Sequence, residues 1–348
     1  MKISKDFIGG NIQIDGNEGN TFYLSPEQRD SENWWFYWAF CVEGAKGETV
    51  TFDFGEDNVI GYYGPAVSKD LVNFEWLGKT DDRHKFTYTF DTDEKVYFSH
   101  HMLYHPQRFF DFCEKHGMNV DTFCVSGKGR NIPCLKFGNG SKHILLTARH
   151  HACESTGSYV LEGVLDELLR DIPDEIVVTC VPFVDYDGVI DGDQGKGRLP
   201  HDHNRDYGEG TLYSTTHRIK TNIEENGIYA GFDFHSPWHM YEENDAAFIV
   251  INEYNNLDEV KIFSDLLKQN LVENSFVYDG KDDIMPGVRW NKANNTKQFG
   301  FARFVMREGA KLGFTLETAY FGREGNEFSE ERALNLGRSF AKAIKKYL

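Results

Sequence analysis

His151 and Glu154 are separated by two intervening residues, a spacing at which an imidazole and a carboxylate can bind the same metal ion. They directly follow an apolar run at residues 143–147 that is typical of a buried strand. A helical pattern with one apolar face then covers residues 155–169. Both ligand types suit Zn²⁺, and a third protein ligand would leave one coordination position for water. The stretch therefore predicts part of a zinc site at the end of a strand.

Two further chemical groups are placed at strand ends by the same pattern. His235 follows the predicted strand at residues 229–234, and Glu317 lies within the predicted strand at residues 311–319. In an α/β sheet, sites collect at the carboxyl ends of the strands. His235 is therefore the natural third ligand, and Glu317 is an acid placed to act as a general base.

A long connection at residues 185–216 is rich in Gly, Asp and His, which predicts a functional loop. It contains Asp202, and two residues later the pair Asn204 and Arg205. An Asn–Arg pair can bind an anionic group through several hydrogen bonds at once. The loop therefore predicts an anion-binding element.

The elements that must position these groups fall into two parts. Residues 1–105 contain short apolar and aromatic runs separated by Gly, Asn and Asp, which predicts an antiparallel β-sandwich. The aromatic run at residues 34–38 is predicted to lie in the sandwich core rather than to bind a ligand. Residues 106–348 alternate strands with helices, which predicts an α/β/α domain with a mixed, mostly parallel sheet. Two domains follow, of which the second carries the predicted site.

Composition excludes some partners. The formal net charge of −18 argues against nucleic acid, which needs a basic surface. No apolar run has the length of a membrane span, and the first residues lack the apolar core of a signal peptide. The six cysteines are scattered, which favours free thiols and a cytoplasmic location. No pattern indicates an oligomeric state.

Taken in order, these motifs resemble those of the zinc metallocarboxypeptidases. The order is His-x-x-Glu154, Asp-Gly-Val189, Asp-x-Asn-Arg205, Asp-x-His235-Ser and Thr-Leu-Glu317. The resemblance is greatest to the cytosolic carboxypeptidase branch, whose members have similar segments at residues 148–154, 302–308 and, near the N-terminus, 6–11. The resemblance therefore covers nearly the whole chain.

This resemblance implies a metal-dependent hydrolysis. His151, Glu154 and His235 would hold one Zn²⁺ per chain, and zinc-activated water would attack the peptide carbonyl. Glu317 would take the proton of that water and pass it to the leaving amine. Asp202 matches the position that hydrogen-bonds a ligating histidine.

The same resemblance implies how a substrate with a free carboxylate is held. Arg205, helped by Asn204, would bind the terminal carboxylate and so select exopeptidase cleavage. The family uses a further arginine to stabilise the oxyanion; Arg198 is the candidate here and Lys196 the alternative. Arg303 falls near the position that favours acidic C-terminal residues, although it could equally pair with an acid of the protein itself.

The sequence leaves three readings of function open. The first is a zinc carboxypeptidase that removes C-terminal amino acids, with a possible preference for acidic ones. The second uses the same site as an amidase on murein peptides or N-acyl amino acids, and the third is a binding module without catalysis, which an intact Glu317 disfavours. At the metal, His150 is an alternative ligand, whereas Cys153 is expected to be a small buried filler.

Overall fold

The first hundred residues form two small sheets that enclose an aromatic core. The computed structural model describes residues 1–292 and 299–348. The strands of this part are β1 (Lys2–Ser4), β2 (Gln13–Glu18), β3 (Thr21–Ser25), β4 (Ala39–Glu43), β5 (Thr49–Asp53), β6 (Ala66–Ser68), β7 (Glu75–Trp76), β8 (Lys85–Thr89) and β9 (Val96–Ser99). One sheet has the order β1-β4-β9-β6-β7, and the other has the order β2-β3-β5-β8.

The predicted antiparallel sandwich needs one correction. Strands β3 and β5 pair in parallel, whereas the other neighbours are antiparallel. Between β3 and β5 the chain crosses to the facing sheet as β4, and such a long crossover is what parallel pairing requires.

The aromatic run at residues 34–38 is split between the core and the surface. Phe36 and Trp38 are fully buried, and the Trp38 ring lies 4.8 Å from that of Phe54. Trp34 is 39% exposed, so the prediction that the whole run lies in the core is wrong for this residue. Trp35 is half-buried and packs against the edge of the core. The strand begins only at Ala39, because the preceding residues turn toward the second part of the chain.

The second part alternates helices and strands. Its elements are α1 (Pro106–Lys115), β10 (Asp121–Val125), β11 (Asn131–Gly138), β12 (Lys142–Ala148), α2 (Thr156–Arg170), β13 (Ile176–Val181), α3 (Tyr186–Asp191), α4 (Ser214–Asn226), β14 (Ala230–His235), β15 (Ala247–Val250), α5 (Leu257–Gln269), α6 (Phe301–Arg307), β16 (Leu312–Thr318), β17 (Gly322–Arg323), β18 (Asn326–Glu327) and α7 (Glu330–Tyr347). Single 3₁₀ turns lie at His203–Arg205 and Glu242–Asp245.

A seven-stranded sheet organises this part, in the order β10-β11-β13-β12-β14-β16-β15. The four central strands β13, β12, β14 and β16 run parallel, and antiparallel strands complete both edges. The predicted mixed sheet with a parallel centre is confirmed. Because the central strands are parallel, their carboxyl ends meet at one edge of the sheet.

Helices cover both faces of this sheet. On β12, Ile144 and Leu146 pack into the core beneath α2, α5 and α7, whereas Leu145 packs into the core beneath α4 and α6. This alternation follows from the two-residue period of a strand. Strands buried on both faces read as continuous apolar runs, which explains the apolar sequence at residues 143–147.

The two parts are joined by buried contacts. The Gln194 side chain bonds both backbone groups of Tyr37, at 3.0 Å to its N–H and 2.8 Å to its carbonyl. The Asn11 amide donates to the carbonyl of Gly192 at 2.7 Å. The predicted boundary between residues 105 and 106 falls in the connection from β9 to α1; two separate domains stay a prediction. Among the described residues, no helix combines the length and apolarity that crossing a membrane would need.

Candidate active site

The carboxyl ends of β12, β14 and β16 bring the predicted metal ligands and the predicted base together. His235 pairs with Glu317 across neighbouring parallel strands. After β12 the chain turns sharply at Arg149, whose backbone has a φ of +59°. The buried Arg149 side chain holds the turn by donating to the carbonyl of Ala152 at 2.8 Å. The turn directs His151 toward the end of β14.

Glu154 lies between the two histidines. Its Oε1 is 2.8 Å from His151 Nδ1, and its Oε2 is 2.6 Å from His235 Nδ1. All three side chains are buried, and one donor atom from each lies within 4.8 Å of the others. Gly157 permits this closeness, because a Cβ there would lie 2.7 Å from the carbonyl carbon of Phe234.

Outer carboxylates lie behind both imidazoles. Asp233 Oδ2 lies 2.6 Å from His235 Nε2, within hydrogen-bond distance, whereas Asp202 Oδ1 lies 3.6 Å from His151 Nε2, beyond that distance. The Asp233 carboxylate favours a proton on His235 Nε2, which leaves Nδ1 to face the site. Nδ1 of both histidines faces the carboxylate of Glu154. Two nitrogens and one oxygen are a donor set that suits Zn²⁺. The residues therefore fit a divalent metal ion.

The protonation of these groups reflects the same arrangement. Burial alone would raise the pKa of Glu154, but the charges of His151 and Lys196 lower it well below its usual range. Burial would lower the pKa of His235, but Asp233 and Glu154 raise it.

His150, the alternative ligand, contacts Asp233 on the side away from the cavity. Its Nδ1 is 2.9 Å from Asp233 Oδ1, and its Nε2 is 2.7 Å from the hydroxyl of Tyr207. Its ring nitrogens thus face Asp233 and Tyr207, and His150 does not line the cavity. His150, Asp233 and His235 also lie close enough together to bind a metal, but His150 and Asp233 lie outside the cavity lining.

Glu317 lies beside the three ligands and has a different environment. It is 8% exposed, and its Oε2 has no hydrogen-bond partner among the described residues. Burial, opposed by the charge of His235 and reinforced by that of Glu154, raises the pKa of Glu317 to about 7. A carboxyl that titrates near neutrality can both accept and release a proton.

Cys153 is buried and burial raises its pKa to about 12, so it is present as a neutral thiol.

A cavity of about 420 Å³ opens over this edge of the sheet. Its lining contains His151, His235 and Glu317, together with Asn204 and Arg205 of the predicted anion-binding element. Asn204 is held in place because its Oδ1 accepts from the backbone N–H of Phe301 at 3.0 Å. The Arg205 guanidinium donates to the neighbouring carbonyl of Asn204 at 2.8 Å.

Arg303 also lines the cavity, and it is paired with an acid of the protein. Its Nε lies 3.0 Å from Glu253 Oε2, in a contact that is partly open to solvent. The structure thus contains both features that the sequence left open, a basic side chain in the pocket and an internal ion pair.

Comparison with solved structures identifies the fold. A metallo-carboxypeptidase from Burkholderia cenocepacia matches with a TM-score of 0.81 at 17% identity, over 99% of this chain and 98% of that one. A metallo-carboxypeptidase from Pseudomonas aeruginosa, in complex with (2-guanidinoethylmercapto)succinic acid, matches with a TM-score of 0.80 at 19% identity and the same coverage. The chain has the metallo-carboxypeptidase fold.

Sequence comparison leads to the same group. No model of a protein family matches the chain. Cytosolic carboxypeptidase 2 of Xenopus tropicalis is 24% identical over 321 residues, which are 80% of this chain but 32% of that protein. An uncharacterised protein of Zymomonas mobilis is 24% identical over 258 residues, 68% of this chain and 67% of that protein. The chain is thus similar in sequence to proteins named cytosolic carboxypeptidases. It spans about a third of the length of the cytosolic carboxypeptidase it matches.

Arg198, the residue predicted to stabilise an oxyanion, lies away from the cavity. It forms ion pairs with three carboxylates, Asp185 at 2.6 Å, Asp30 at 3.0 Å and Asp193 at 2.9 Å. Its guanidinium neutralises a buried acidic cluster. The assignment to Arg198 is therefore corrected.

Lys196, the alternative, is the basic side chain of this loop that reaches the metal ligands. Its Nζ lies 3.2 Å from Glu154 Oε1 and the side chain lines the cavity. Gly195 makes this possible, because its φ of +75° and the close approach of Ala152 N, 2.0 Å from where a Cβ would stand, exclude larger residues. Burial would lower the pKa of Lys196, but the charges of Glu154 and Glu317 raise it, so the ammonium group stays charged.

Sequence reasoning missed three residues of the site. Asp233 carries the hydrogen bonds of two histidines, and the Asp-x-His spacing in its strand was the signal that could have identified it, because alternate residues share one face. Trp35 and Trp238 line the cavity although they belong to different parts of the chain. No short-range pattern links them.

Proposed function

We propose that this protein is a zinc-dependent carboxypeptidase that hydrolyses the bond before the C-terminal amino acid of a peptide. The observation that supports this most is the convergence of His151, Glu154, His235 and Glu317 on a cavity that Arg205 also lines. The metallo-carboxypeptidase fold and the similarity to proteins named cytosolic carboxypeptidases support it independently.

The metal ligands and Glu317 would carry out the chemical step. A zinc ion held by His151, Glu154 and His235 would supply Lewis acidity toward the scissile carbonyl and make a water molecule more acidic. Glu317 accepts the proton of the attacking water and delivers it to the nitrogen of the leaving amino acid. Its pKa of about 7 suits both transfers.

Two cationic groups act on the substrate. The ammonium group of Lys196 is charged and lies beside Glu154, where it can stabilise negative charge that develops on the carbonyl oxygen. Arg205 and Asn204 bind the terminal carboxylate, since a guanidinium can donate two parallel hydrogen bonds to it. A substrate without a free carboxylate would lack this anchor, which restricts cleavage to the last residue.

We further propose that the enzyme prefers substrates with an acidic C-terminal residue. Arg303 lines the cavity, and its partner Glu253 is partly exposed. A substrate carboxylate could replace Glu253 on the guanidinium, because a half-exposed ion pair contributes only about 0–1 kcal/mol. We also propose a cytoplasmic location, which the six unpaired cysteines support.

The test is release of free amino acid from a panel of N-blocked dipeptides. Wild type is compared with Glu317→Gln, each after chelation and after Zn²⁺ is restored. Zinc-dependent release that falls at least about a hundredfold in Glu317→Gln is expected, since a positioned general base contributes about 10²–10⁴-fold. Glu330→Gln is the matched control, because Glu330 is also a glutamate with a burial-raised pKa but pairs with Arg108 outside the cavity.

The panel also separates carboxypeptidase from amidase activity. Release from N-acyl amino acids or murein peptides, with no release from ordinary dipeptides, would replace the carboxypeptidase proposal. If the protein fails to bind one zinc ion per chain, both the carboxypeptidase and the amidase proposals are rejected.

A further inference from the structure

Trp238 lies next to the metal ligands and is exposed. It follows His235 by three residues, so their Cα atoms are at most about 11 Å apart. Its indole is 38% exposed and lines the cavity. The Trp35 ring meets it edge-on, with centroids 4.9 Å apart. Two tryptophans from distant parts of the chain thus form one wall of the cavity.

The position of Lys196 shows which part of a substrate this wall would meet. Its Nζ lies 3.2 Å from Glu154 Oε1 and 5.3 Å from the centre of the Trp35 ring. Lys196 therefore lies between the metal ligands and the tryptophan wall. With the terminal residue at Arg205 and the scissile carbonyl at Lys196, the residue before the scissile bond reaches the two indoles.

The chemistry of the wall favours an apolar partner. The face of an aromatic ring is electron-rich, so it attracts other ring edges and repels carboxylates. The neighbouring lining residue Pro237 is apolar too.

We propose that Trp238, backed by Trp35, binds an aromatic or large apolar side chain immediately before the scissile bond. The inference rests on the proposed carboxypeptidase function and assigns its preferred substrates. These are short peptides with an apolar penultimate residue, rather than runs of glutamate.

The test varies only the penultimate residue. N-acetyl-Phe-Xaa, N-acetyl-Ala-Xaa and N-acetyl-Glu-Xaa are compared, with Xaa the terminal residue that is released fastest. We expect kcat/KM to follow the order Phe, Ala, Glu. In Trp238→Ala, the kcat/KM of the Phe peptide relative to that of the Ala peptide should fall about three- to tenfold, which is the size of one lost aromatic contact. Trp238→Phe, which keeps an aromatic ring, should retain most of the ratio.

Trp34→Ala is the matched control. Trp34 is 39% exposed and its ring lies 6.0 Å from that of Trp238, but it does not line the cavity. In this variant, the kcat/KM of the Phe peptide relative to that of the Ala peptide should stay within about twofold of the wild-type value. Equal kcat/KM for the three peptides, or an unchanged ratio in Trp238→Ala, would overturn the proposal.

Binding separates failure of this inference from failure of the function. The same peptides are titrated by calorimetry into Glu317→Gln, with and without Trp238→Ala. Tighter binding of the Phe peptide that depends on Trp238 supports the subsite, even where wild type hydrolyses none of the peptides and the carboxypeptidase proposal fails. Hydrolysis together with equal binding of the Phe and Ala peptides retains the function and rejects the subsite.

Discussion

Exchanging Lys196 or Arg198 for methionine should separate catalysis from stability. The two residues are two positions apart in one loop, and the sequence could not decide between them. The structure predicts opposite phenotypes. Lys196→Met should remove transition-state stabilisation from a stable protein, whereas Arg198→Met should destabilise a protein whose active site is intact.

The expected effect of Lys196→Met on kcat follows from the position of the ammonium group. Loss of one donor to an oxyanion lowers kcat by about 10²–10³-fold, or roughly 2.7–4 kcal/mol. Its charge also interacts with Glu154 Oε1 at 3.2 Å, a Coulomb energy of about 5 kcal/mol at an effective dielectric constant of about 20. A bound divalent cation would balance the charge of Glu154 in place of Lys196. The metal-loaded variant should therefore keep a normal melting temperature and a KM within about threefold of wild type.

Arg198 should behave differently because its partners are buried acids. Removing one member of a buried ion pair costs about 3–5 kcal/mol. Burial, opposed by Arg198, already raises the pKa of Asp185 to about 6, well above its unfolded value. A raised carboxyl pKa means that folding favours the protonated form, so stability falls as pH rises from about 4 through 6. Without Arg198 the loss of stability should therefore be larger at pH 8 than at pH 5.

The assay combines denaturant unfolding with steady-state kinetics on the folded fraction. Urea titrations at pH 5 and pH 8 measure the free energy of unfolding of both variants, and kcat is measured at a temperature where each is folded. The reasoning is refuted if Arg198→Met is as stable as wild type but loses kcat about a hundredfold. It is equally refuted if Lys196→Met retains wild-type kcat.

Three further substitutions test other parts of the structure. Asp233→Asn should weaken zinc binding about 10–100-fold, because it removes the carboxylate that orients His235; competition with a chelator measures this, and unchanged affinity would contradict it. Arg303→Ala should lower kcat/KM for peptides ending in Glu but not for those ending in Ala, and an equal loss for both would reject the acidic preference. Gly163→Ala should destabilise the protein by about 1–3 kcal/mol in urea, because its Cβ would lie 2.0 Å from the carbonyl oxygen of Leu334; wild-type stability would show that α2 and α7 can separate.

Much of the architecture could be predicted because it depends on short-range patterns. The apolar run at residues 143–147 and the amphipathic pattern after Ser155 predicted β12 and α2 to within a residue or two. The aromatic run at residues 34–38 was harder, since one composition fits both a strand and a loop. Trp34 lies outside the sandwich core and Trp35 lies at its edge, because that segment packs on the second part of the chain, where Trp35 meets Trp238.

By itself the sequence determined the donor types and their places at strand ends. His-x-x-Glu154 after one apolar run, and His235 and Glu317 after two others, meet at one edge because neighbouring parallel strands must end there. Such an inference needs only the two-residue period of a strand and the direction of its neighbours.

Only the tertiary structure decided which basic group of the loop reaches the metal ligands. Lys196 faces Glu154 and Arg198 faces away because Asp30, about 165 residues earlier in the chain, accepts hydrogen bonds from Gly195 and Arg198. The same holds for the wall of Trp35 and Trp238. These contacts join segments with no fixed spacing in sequence, and the energy that selects them arises from burial and charge pairing once the chain is folded.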